Sequence, residues 1–171
     1  MHHPHRDLRL SATSPADRPA IEKILRRTAL FREGEIAVAL EVLDVYLDQK
    51  DQEDYRFTSA LRDGVPVGYV CYGPNTMTEG TWELYWIAVD PDHQGEGLGS
   101  LLMDALEEDA SGKGGRMIAV ETSSRPDYLP TVSFYRHRGY RLEATVKNYY
   151  APGDDKLIFV RTFPGHSGEV A

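Results

Sequence analysis

The spacing of apolar residues changes once between residues 80 and 110, and the change predicts a strand followed by a helix. Residues 82–89 are aromatic, aliphatic and β-branched, with Gly80 before them and Asp90-Pro91-Asp92 after them, which is typical of a strand. Apolar side chains then recur at the spacing of one helix face, at Leu98, Leu101, Leu102, Ala105 and Leu106. Between the two patterns lies a polar, glycine-rich segment, Gln94-Gly95-Glu96-Gly97-Leu98-Gly99-Ser100.

Similar patterns predict the other elements of the chain. Alternating or continuous apolar runs predict strands over residues 7–12, 55–62, 65–72, 117–122, 141–150 and 156–163. Helical spacing predicts a helix that begins at Ser14-Pro15-Ala16-Asp17, a second over 36–47, and a short one between Pro130 and Gly139. Residues 31–35 are expected to form the turn between the first two helices.

The predicted element order is β-α-α-β-β-β-α-β-α-β-β. This order predicts an α+β (mixed α/β) fold, with a central, mostly antiparallel, twisted sheet and helices on both faces. The 171 residues are enough for one domain with a proper core and few for two. We therefore expect a single domain, residues 1–171, with its core over about residues 7–163 and polar, flexible tails.

The glycine segment is the strongest candidate for a binding site. Glycine lets bare backbone approach a ligand closely, and the free N–H groups at the start of a helix favour an anion, above all a phosphate. A P-loop is excluded because no lysine follows the last glycine, and the spacing is not that of the dinucleotide pattern G-x-G-x-x-G.

Two motifs match a known family. The glycine segment has the form Q/R-x-x-G-x-G/A, with Gln94, Gly97 and Gly99 at its fixed positions, and Tyr135 and Gly139 match the pattern Y-x-x-x-G-F/Y. By these motifs and by its element order, the chain resembles the GCN5-related N-acetyltransferase (GNAT) family over about residues 7–163. The resemblance implies an acyltransferase that uses acetyl-coenzyme A (acetyl-CoA) as cosubstrate and needs no metal.

The resemblance also implies where the cosubstrate binds. In the family the loop binds the pyrophosphate, and the backbone at the end of the preceding strand holds the pantetheine arm. The implied contact residues are Ile87, Ala88, Val89, Gln94, Gly95, Glu96, Gly97, Leu98, Gly99, Ser100 and Tyr128. Two of them depart from the family pattern: Glu96 stands where members often carry a basic residue, and Tyr128 stands at or near a common asparagine. An acid beside a pyrophosphate is unfavourable, so we expect the side chain of Glu96 to face solvent.

Two residues are candidates for proton transfer. Attack of an amine on a thioester requires a neutral amine and a protonated leaving thiolate. The resemblance implies Tyr135 as the proton donor near the sulfur and Glu83 as the general base, acting through water. The structural alternatives are a core aromatic for Tyr135 and an outward-facing strand residue for Glu83. Cys71 has no obvious neighbouring base, so we expect direct attack in a ternary complex rather than an acyl-enzyme.

Five more residues are candidates for binding the amine. Glu33 and Glu35 lie in the predicted turn between the helices, a wall of the acceptor site in the resembling family, although the helix dipole alone also explains two acids there. Tyr72 and Tyr149 belong to a group of aromatics at strand ends that could surround a cation. Tyr85 shares a strand face with Glu83. Hydrophobic packing is the alternative for all three tyrosines.

Charge and composition limit the classes of partner that the protein is expected to bind. A net charge of −8 argues against nucleic acid and is compatible with a cationic substrate. A single cysteine fits a reducing compartment, and no apolar run approaches the roughly 18 residues that span a bilayer, so no membrane partner and a cytoplasmic location are expected. His2, His3 and His5 are expected to form an irregular tail rather than a metal site. The last hairpin is a candidate for pairing in a homodimer.

The sequence therefore predicts an N-acetyltransferase that transfers an acetyl group from acetyl-CoA to a primary amine of a small molecule or peptide. The alternative is a non-catalytic acyl-CoA sensor or interaction module on the same fold. Such a module would keep the glycine loop and tolerate the loss of Glu83 and Tyr135, both of which are present.

Overall fold

The computed structural model describes residues 7–164. The predicted irregular N-terminal tail, with His2, His3 and His5, and the polar C-terminal tail therefore lie outside the described residues. The strands are β1 (Leu8–Ala12), β2 (Arg56–Arg62), β3 (Val65–Pro74), β4 (Thr81–Val89), β5 (Met117–Ser123), β6 (Arg141–Ala151) and β7 (Asp154–Thr162). The helices are α1 (Arg18–Arg27), α2 (Glu33–Asp48), α3 (Leu98–Gly112) and α4 (Leu129–His137). This order confirms the predicted succession of strands and helices.

The seven strands form a mostly antiparallel sheet in the order β1-β2-β3-β4-β5-β7-β6. The pairs β1–β2, β2–β3, β5–β7 and β6–β7 are antiparallel, and β4 pairs in parallel with β5. The mixed α+β fold class is therefore confirmed. Within residues 7–164, every helix is too short or too polar to cross a membrane.

The described chain packs as two compact units. The first unit comprises residues 7–72 and 86–106. Its core is formed by the apolar faces of three helices and by the inner residues of β2 and β3, including Ile21, Leu25, Leu43, Val70 and Leu102. Gly68 on β3 allows a close approach in this core, because a Cβ there would lie 3.2 Å from the Ala88 carbonyl oxygen and 3.3 Å from Leu102 Cδ1.

The second unit comprises residues 73–85 and 107–164. Its core contains Ile118, Val120, Tyr135, Tyr140 and Phe159, all nearly inaccessible to solvent. Beside this core, Glu107 on α3 forms ion pairs with two arginines. Its Oε2 lies 2.8 Å from Arg138 Nη2 and 2.9 Å from Arg161 Nη1, and its Oε1 accepts a hydrogen bond from the Tyr140 hydroxyl at 3.1 Å. The predicted single domain stays a prediction.

The structure corrects the predicted start of the second helix. α2 begins at Glu33, so Glu33 and Glu35 lie in its first turn and the prediction that they belong to a connecting turn is wrong. The physical reason is capping: the backbone N–H of Arg32 donates to Glu35 Oε2 at 2.6 Å, and acidic side chains stabilise the positive end of a helix. Near the other end of the chain, β7 begins at Asp154, two residues before the strand predicted over residues 156–163.

Candidate active site

The glycine loop between β4 and α3 has a backbone that only glycine adopts easily. Gly95 and Gly97 both have φ of +80°, and a Cβ on either one would meet no atom within 4 Å. The first helical hydrogen bond of α3 runs from the Leu101 N–H to the Gly97 carbonyl at 3.1 Å. The N–H groups of the three residues before Leu101 therefore precede the helical ladder, as in every helix start.

The loop is open to solvent and its helix is anchored. Residues 94–97 are exposed, whereas Leu98, the first residue of α3, is 1% exposed and belongs to the core of the first unit. Backbone N–H groups at the positive end of a helix, with no side chain above the two glycines, suit the oxygens of a phosphate. This arrangement fits a pyrophosphate group.

An arginine from α1 holds the turn that leads into the loop. Arg27 Nη1 lies 2.8 and 2.7 Å from the two carboxylate oxygens of Asp90, and its Nη2 lies 2.8 Å from Asp92 Oδ2. Asp90 is 8% exposed and also accepts the N–H of Asp92 at 2.9 Å. The hydrogen bond from Arg27 lowers the pKa of Asp92 below its usual range. The strand end and the loop are thus fixed to α1.

A second arginine accounts for the unexpected acid in the loop. Arg62, the last residue of β2, places Nη2 2.6 Å from Glu96 Oε2, and His93 Nδ1 lies 3.4 Å from Glu96 Oε1. The side chain of Glu96, expected to face solvent, is 39% exposed and ion-paired. Because Arg62 neutralises this carboxylate, Glu96 is compatible with a phosphate at the loop.

The sequence does not indicate which arginines form these two sets of ion pairs. Arg27 lies 63 positions before Asp90, and Arg62 lies 34 positions before Glu96. No short motif joins residues so far apart, and only the acid at Glu96, out of place in a phosphate loop, indicates that a compensating cation is needed.

β4 carries the predicted base and the predicted backbone contacts. Glu83 and Tyr85 lie on one face of the strand, and the Tyr85 hydroxyl donates to Glu83 Oε2 at 3.3 Å. Both residues are half-buried. Ile87–Val89 continue the same strand, with Ala88 buried. The structure thus brings Glu83 and Tyr85 together.

Tyr135 lies on α4 in an aromatic cluster of the second unit. Its ring centroid is 5.6 Å from that of Phe134, 5.8 Å from that of Tyr140 and 6.3 Å from that of Phe159. Burial, and to a smaller extent the charge of Tyr128, raise the pKa of Tyr135 well above its usual value. Its phenol therefore keeps its proton at neutral pH and can donate it to a hydrogen bond. Packing and proton donation are compatible at this position.

The two tyrosines predicted to surround a cation differ in burial, and their joint role stays a prediction. Tyr72 is buried in the first unit, whereas Tyr149 belongs to the second unit and is 55% exposed. Tyr149 meets Tyr150 edge-on at 5.0 Å between centroids, and Lys156 Nζ lies 3.9 Å from the Tyr149 centroid. A cation of the protein itself therefore already lies on one face of the Tyr149 ring.

The two acids predicted to bind the amine have structural partners. Arg26 Nη1 lies 2.8 and 3.0 Å from the carboxylate oxygens of Glu33, and Glu35 caps α2 as described above. Glu33 also lines an open cavity of about 480 Å³ along α1 and α2, whose wall includes Glu41, Asp44 and Asp48. A role for Glu33 or Glu35 in binding an amine stays a prediction.

Cys71 is unsuited to nucleophilic attack. Its side chain is inaccessible to solvent, and burial raises the pKa of the thiol well above its usual value. Since the thiolate is the nucleophilic form, this residue is an inert part of the core of the first unit.

Comparisons with known proteins agree on a family. The model of the acetyltransferase (GNAT) family matches residues 19–140. Over 137 residues, the chain is 31% identical to the L-2,4-diaminobutyric acid acetyltransferase of Streptomyces coelicolor, an alignment that covers 76% of this chain and 78% of that relative.

Comparison with solved structures also finds GNAT-family proteins. A GNAT-family protein from Desulfovibrio desulfuricans superposes with a TM-score of 0.85 at 37% identity, covering 91% of this chain and 99% of that one. Salmonella typhimurium yncA, solved with its cofactor acetyl-CoA, superposes with a TM-score of 0.73 at 19% identity, covering 94% of this chain and 96% of that one. At 19% identity, the similarity to yncA concerns the fold alone.

Proposed function

The chain belongs to the acetyltransferase (GNAT) family, and on this basis we propose that it transfers an acetyl group from acetyl-CoA to a primary amine by direct attack. The observation that carries the proposal is the glycine loop. Gly95 and Gly97 present exposed backbone in front of α3, and Arg62 neutralises the only acid of the loop, Glu96. These features support a pyrophosphate at the loop and agree with the family motif.

Acetyl-CoA supplies the thioester that the amine attacks. The loop from Gln94 to Ser100 is proposed to bind the pyrophosphate of acetyl-CoA, and the backbone of Ile87–Val89 is proposed to bind the pantetheine arm. The N–H of Ala88 is proposed to stabilise the negative charge that develops on the thioester oxygen, because a fixed backbone donor is effective in that role. Arg27 positions both segments, because it ties the turn between them to α1.

Glu83 is the proposed general base for the amine. An alkyl ammonium has a pKa near 10, like that of lysine, and must lose a proton before it can attack. Hydrogen bonding from Tyr85 to Glu83 Oε2 orients the carboxylate, and Oε1 is the oxygen proposed to accept the proton, directly or through water.

Tyr135 is the proposed donor to the leaving thiolate. A free thiol has a pKa of about 8.5. Because burial raises the pKa of Tyr135, the phenol holds its proton strongly, and we propose that it stabilises the thiolate chiefly as a hydrogen-bond donor. The buried thiol of Cys71 supports direct transfer, since an acyl-enzyme at that residue would need a thiolate.

The acceptor is proposed to be a small amine or the amino group of a peptide. The relative from Streptomyces coelicolor is named for a diamino acid, so small diamino acids and diamines are the first acceptors to screen. The chain's net charge of −8 favours such cations in a general way.

Calorimetric titration of acetyl-CoA into the purified protein tests the donor, with dephospho-coenzyme A and ATP as controls. We expect selective binding of acetyl-CoA in the micromolar range, followed by thiol release when an acceptor from the amine panel is added. Absence of acetyl-CoA binding would refute the loop assignment. Binding without thiol release for any amine would favour the acyl-CoA sensor over the enzyme.

A further inference from the structure

A turn of defined geometry joins Tyr140 to Tyr135 at the end of α4. Gly139 has φ of +85°, its N–H donates to the Arg136 carbonyl at 3.0 Å, and the Tyr140 N–H donates to the Tyr135 carbonyl at 3.0 Å. This is the Schellman motif, in which a left-handed glycine ends a helix and the following residue turns back onto the last helical turn. The backbone thus brings the side chain of Tyr140 beside that of Tyr135.

Tyr140 is the polar member of the rings around Tyr135. Of the three rings that pack against Tyr135, those of Phe134 and Phe159 carry no hydrogen-bonding group, whereas Tyr140 carries a hydroxyl. The Tyr140 side chain is buried, and its ring is inclined by 59° to that of Tyr135. Aromatic rings pair over a range of distances and angles. A hydrogen bond that fixes Tyr140 therefore limits the positions open to the Tyr135 ring.

Glu107 on α3 accepts that hydrogen bond. Its Oε1 lies 3.1 Å from the Tyr140 hydroxyl, and its Oε2 contacts Arg138 Nη2 and Arg161 Nη1 at 2.8 and 2.9 Å. The side chain of Glu107 is 12% exposed, and the two arginines hold its carboxylate in place. Burial, and to a smaller extent the charge of Glu107, raise the pKa of Tyr140, so its hydroxyl remains a donor at neutral pH.

The hydroxyl of Tyr140 is more than ring packing requires. A phenylalanine would make the same ring contact and the apolar contact that commonly accompanies the Schellman motif. A buried hydroxyl is unfavourable without a partner, and a mostly buried carboxylate is unfavourable without cations. Glu107, Arg138 and Arg161 together satisfy both requirements. The hydrogen bond from Tyr140 thus connects an anchored carboxylate, through one ring contact, to Tyr135.

We propose that Glu107, through the hydroxyl of Tyr140, positions the phenol of Tyr135 for its role as donor to the leaving thiolate. This positioning role rests on the proposed acetyl transfer. A displacement of about 1 Å can lower a rate by about 100-fold. Because the loss of one hydrogen bond leaves the ring packing in place, we expect a smaller effect, of about 3- to 10-fold in kcat.

A double-mutant cycle tests the proposal by thiol release from acetyl-CoA, with L-ornithine or L-lysine as the acceptor. Tyr140→Phe keeps the ring and removes the hydroxyl, so it should lower kcat about 3- to 10-fold with the dissociation constant of acetyl-CoA unchanged. In a Tyr135→Phe background the same substitution should leave kcat unchanged, because no phenol remains to be positioned. Glu107→Gln offers one acceptor oxygen to the three donor groups and should lower kcat as Tyr140→Phe does. Tyr69→Phe, which removes a buried hydroxyl from the first unit, is the matched control and should leave kcat unchanged.

Carbon-13 labelling of the tyrosine rings gives a second readout, by nuclear magnetic resonance, that needs no activity. The Tyr135 signal is identified by its absence from the spectrum of Tyr135→Phe. Tyr140→Phe and Glu107→Gln should both shift this signal, whereas Tyr69→Phe should not. Circular dichroism establishes that each variant is folded, and if Glu107→Gln does not fold, Tyr140→Phe decides alone.

A Tyr135 signal that is unshifted in Tyr140→Phe overturns the proposal. A loss of kcat that is equal in the wild-type and Tyr135→Phe backgrounds overturns it as well, because Tyr140 then acts independently of Tyr135. If neither diamino acid is acetylated, or if Tyr135→Phe keeps the wild-type kcat, it is the proposed function that fails at this acceptor or at this residue. The spectra then decide alone whether Glu107 and Tyr140 position the Tyr135 ring.

Discussion

Replacing Gly97 by alanine separates the conformational role of the glycine loop from its binding role. Gly97 has φ of +80°, and a Cβ there would meet nothing within 4 Å in the free protein. The cost of the alanine therefore comes from its strained backbone conformation and not from a steric clash of its methyl group. A left-handed conformation costs a non-glycine residue about 1–2 kcal/mol. For a chain of this size, each kcal/mol lowers Tm by about 2–4 °C, so we expect a loss of about 2–8 °C.

Gly153 is a matched control for this change. It also has φ of +80°, a Cβ added to it would likewise meet no atom within 4 Å, and it lies in the tight turn between β6 and β7. Gly153→Ala should therefore lower Tm by a similar amount. It should leave acetyl-CoA binding unchanged, because none of the residues assigned to acetyl-CoA lies in that turn.

The two variants should differ in binding. If the backbone at Gly97 contacts a phosphate, its methyl group would stand in the way of a charge-assisted hydrogen bond worth about 1.5–3 kcal/mol. The dissociation constant of acetyl-CoA, measured by calorimetry, should then rise by about 10- to 150-fold for Gly97→Ala only. Equal losses of Tm accompanied by unchanged acetyl-CoA affinity in both variants would refute the assignment of this loop.

Three further predictions concern the proposed catalytic and positioning residues. Tyr135→Phe keeps the aromatic packing but removes the hydroxyl, so kcat should fall by about 10-fold or more with acetyl-CoA affinity unchanged; an unchanged kcat would remove Tyr135 as the proton donor. Glu83→Gln should lower kcat/KM most at low pH, where the amine most needs help to lose its proton, and a loss of equal size at every pH would point to a structural role instead. Arg27→Gln should raise KM for acetyl-CoA several-fold with little change in kcat, since it releases Asp90 at the entrance to the loop. Arg26→Gln, which breaks only pairs with Glu22 and Glu33, is its control, and equal kinetic effects of the two would contradict the positioning role.

Local sequence predicts most of the elements because their signals are short-range. The strand β4, the glycine loop and α3 are each specified by residues within a few positions of one another, through side-chain periodicity and the backbone freedom of glycine. The same holds for Asp63-Gly64, where both residues have positive φ and form the turn between β2 and β3. The predicted start of α2 is wrong because Glu33 and Glu35 resemble a polar turn in composition, while capping makes them helical.

The order of the elements, the α+β fold and the loop that matches the GNAT family can all be read from the sequence alone. Which distant charges meet depends instead on the tertiary structure. Arg27 reaches Asp90, Arg62 reaches Glu96, and Lys156 covers one face of the Tyr149 ring. Backbone patterns depend on neighbours in the chain, whereas ion pairs and ring contacts depend on which elements pack side by side, and packing is a property of the whole fold rather than of any one segment.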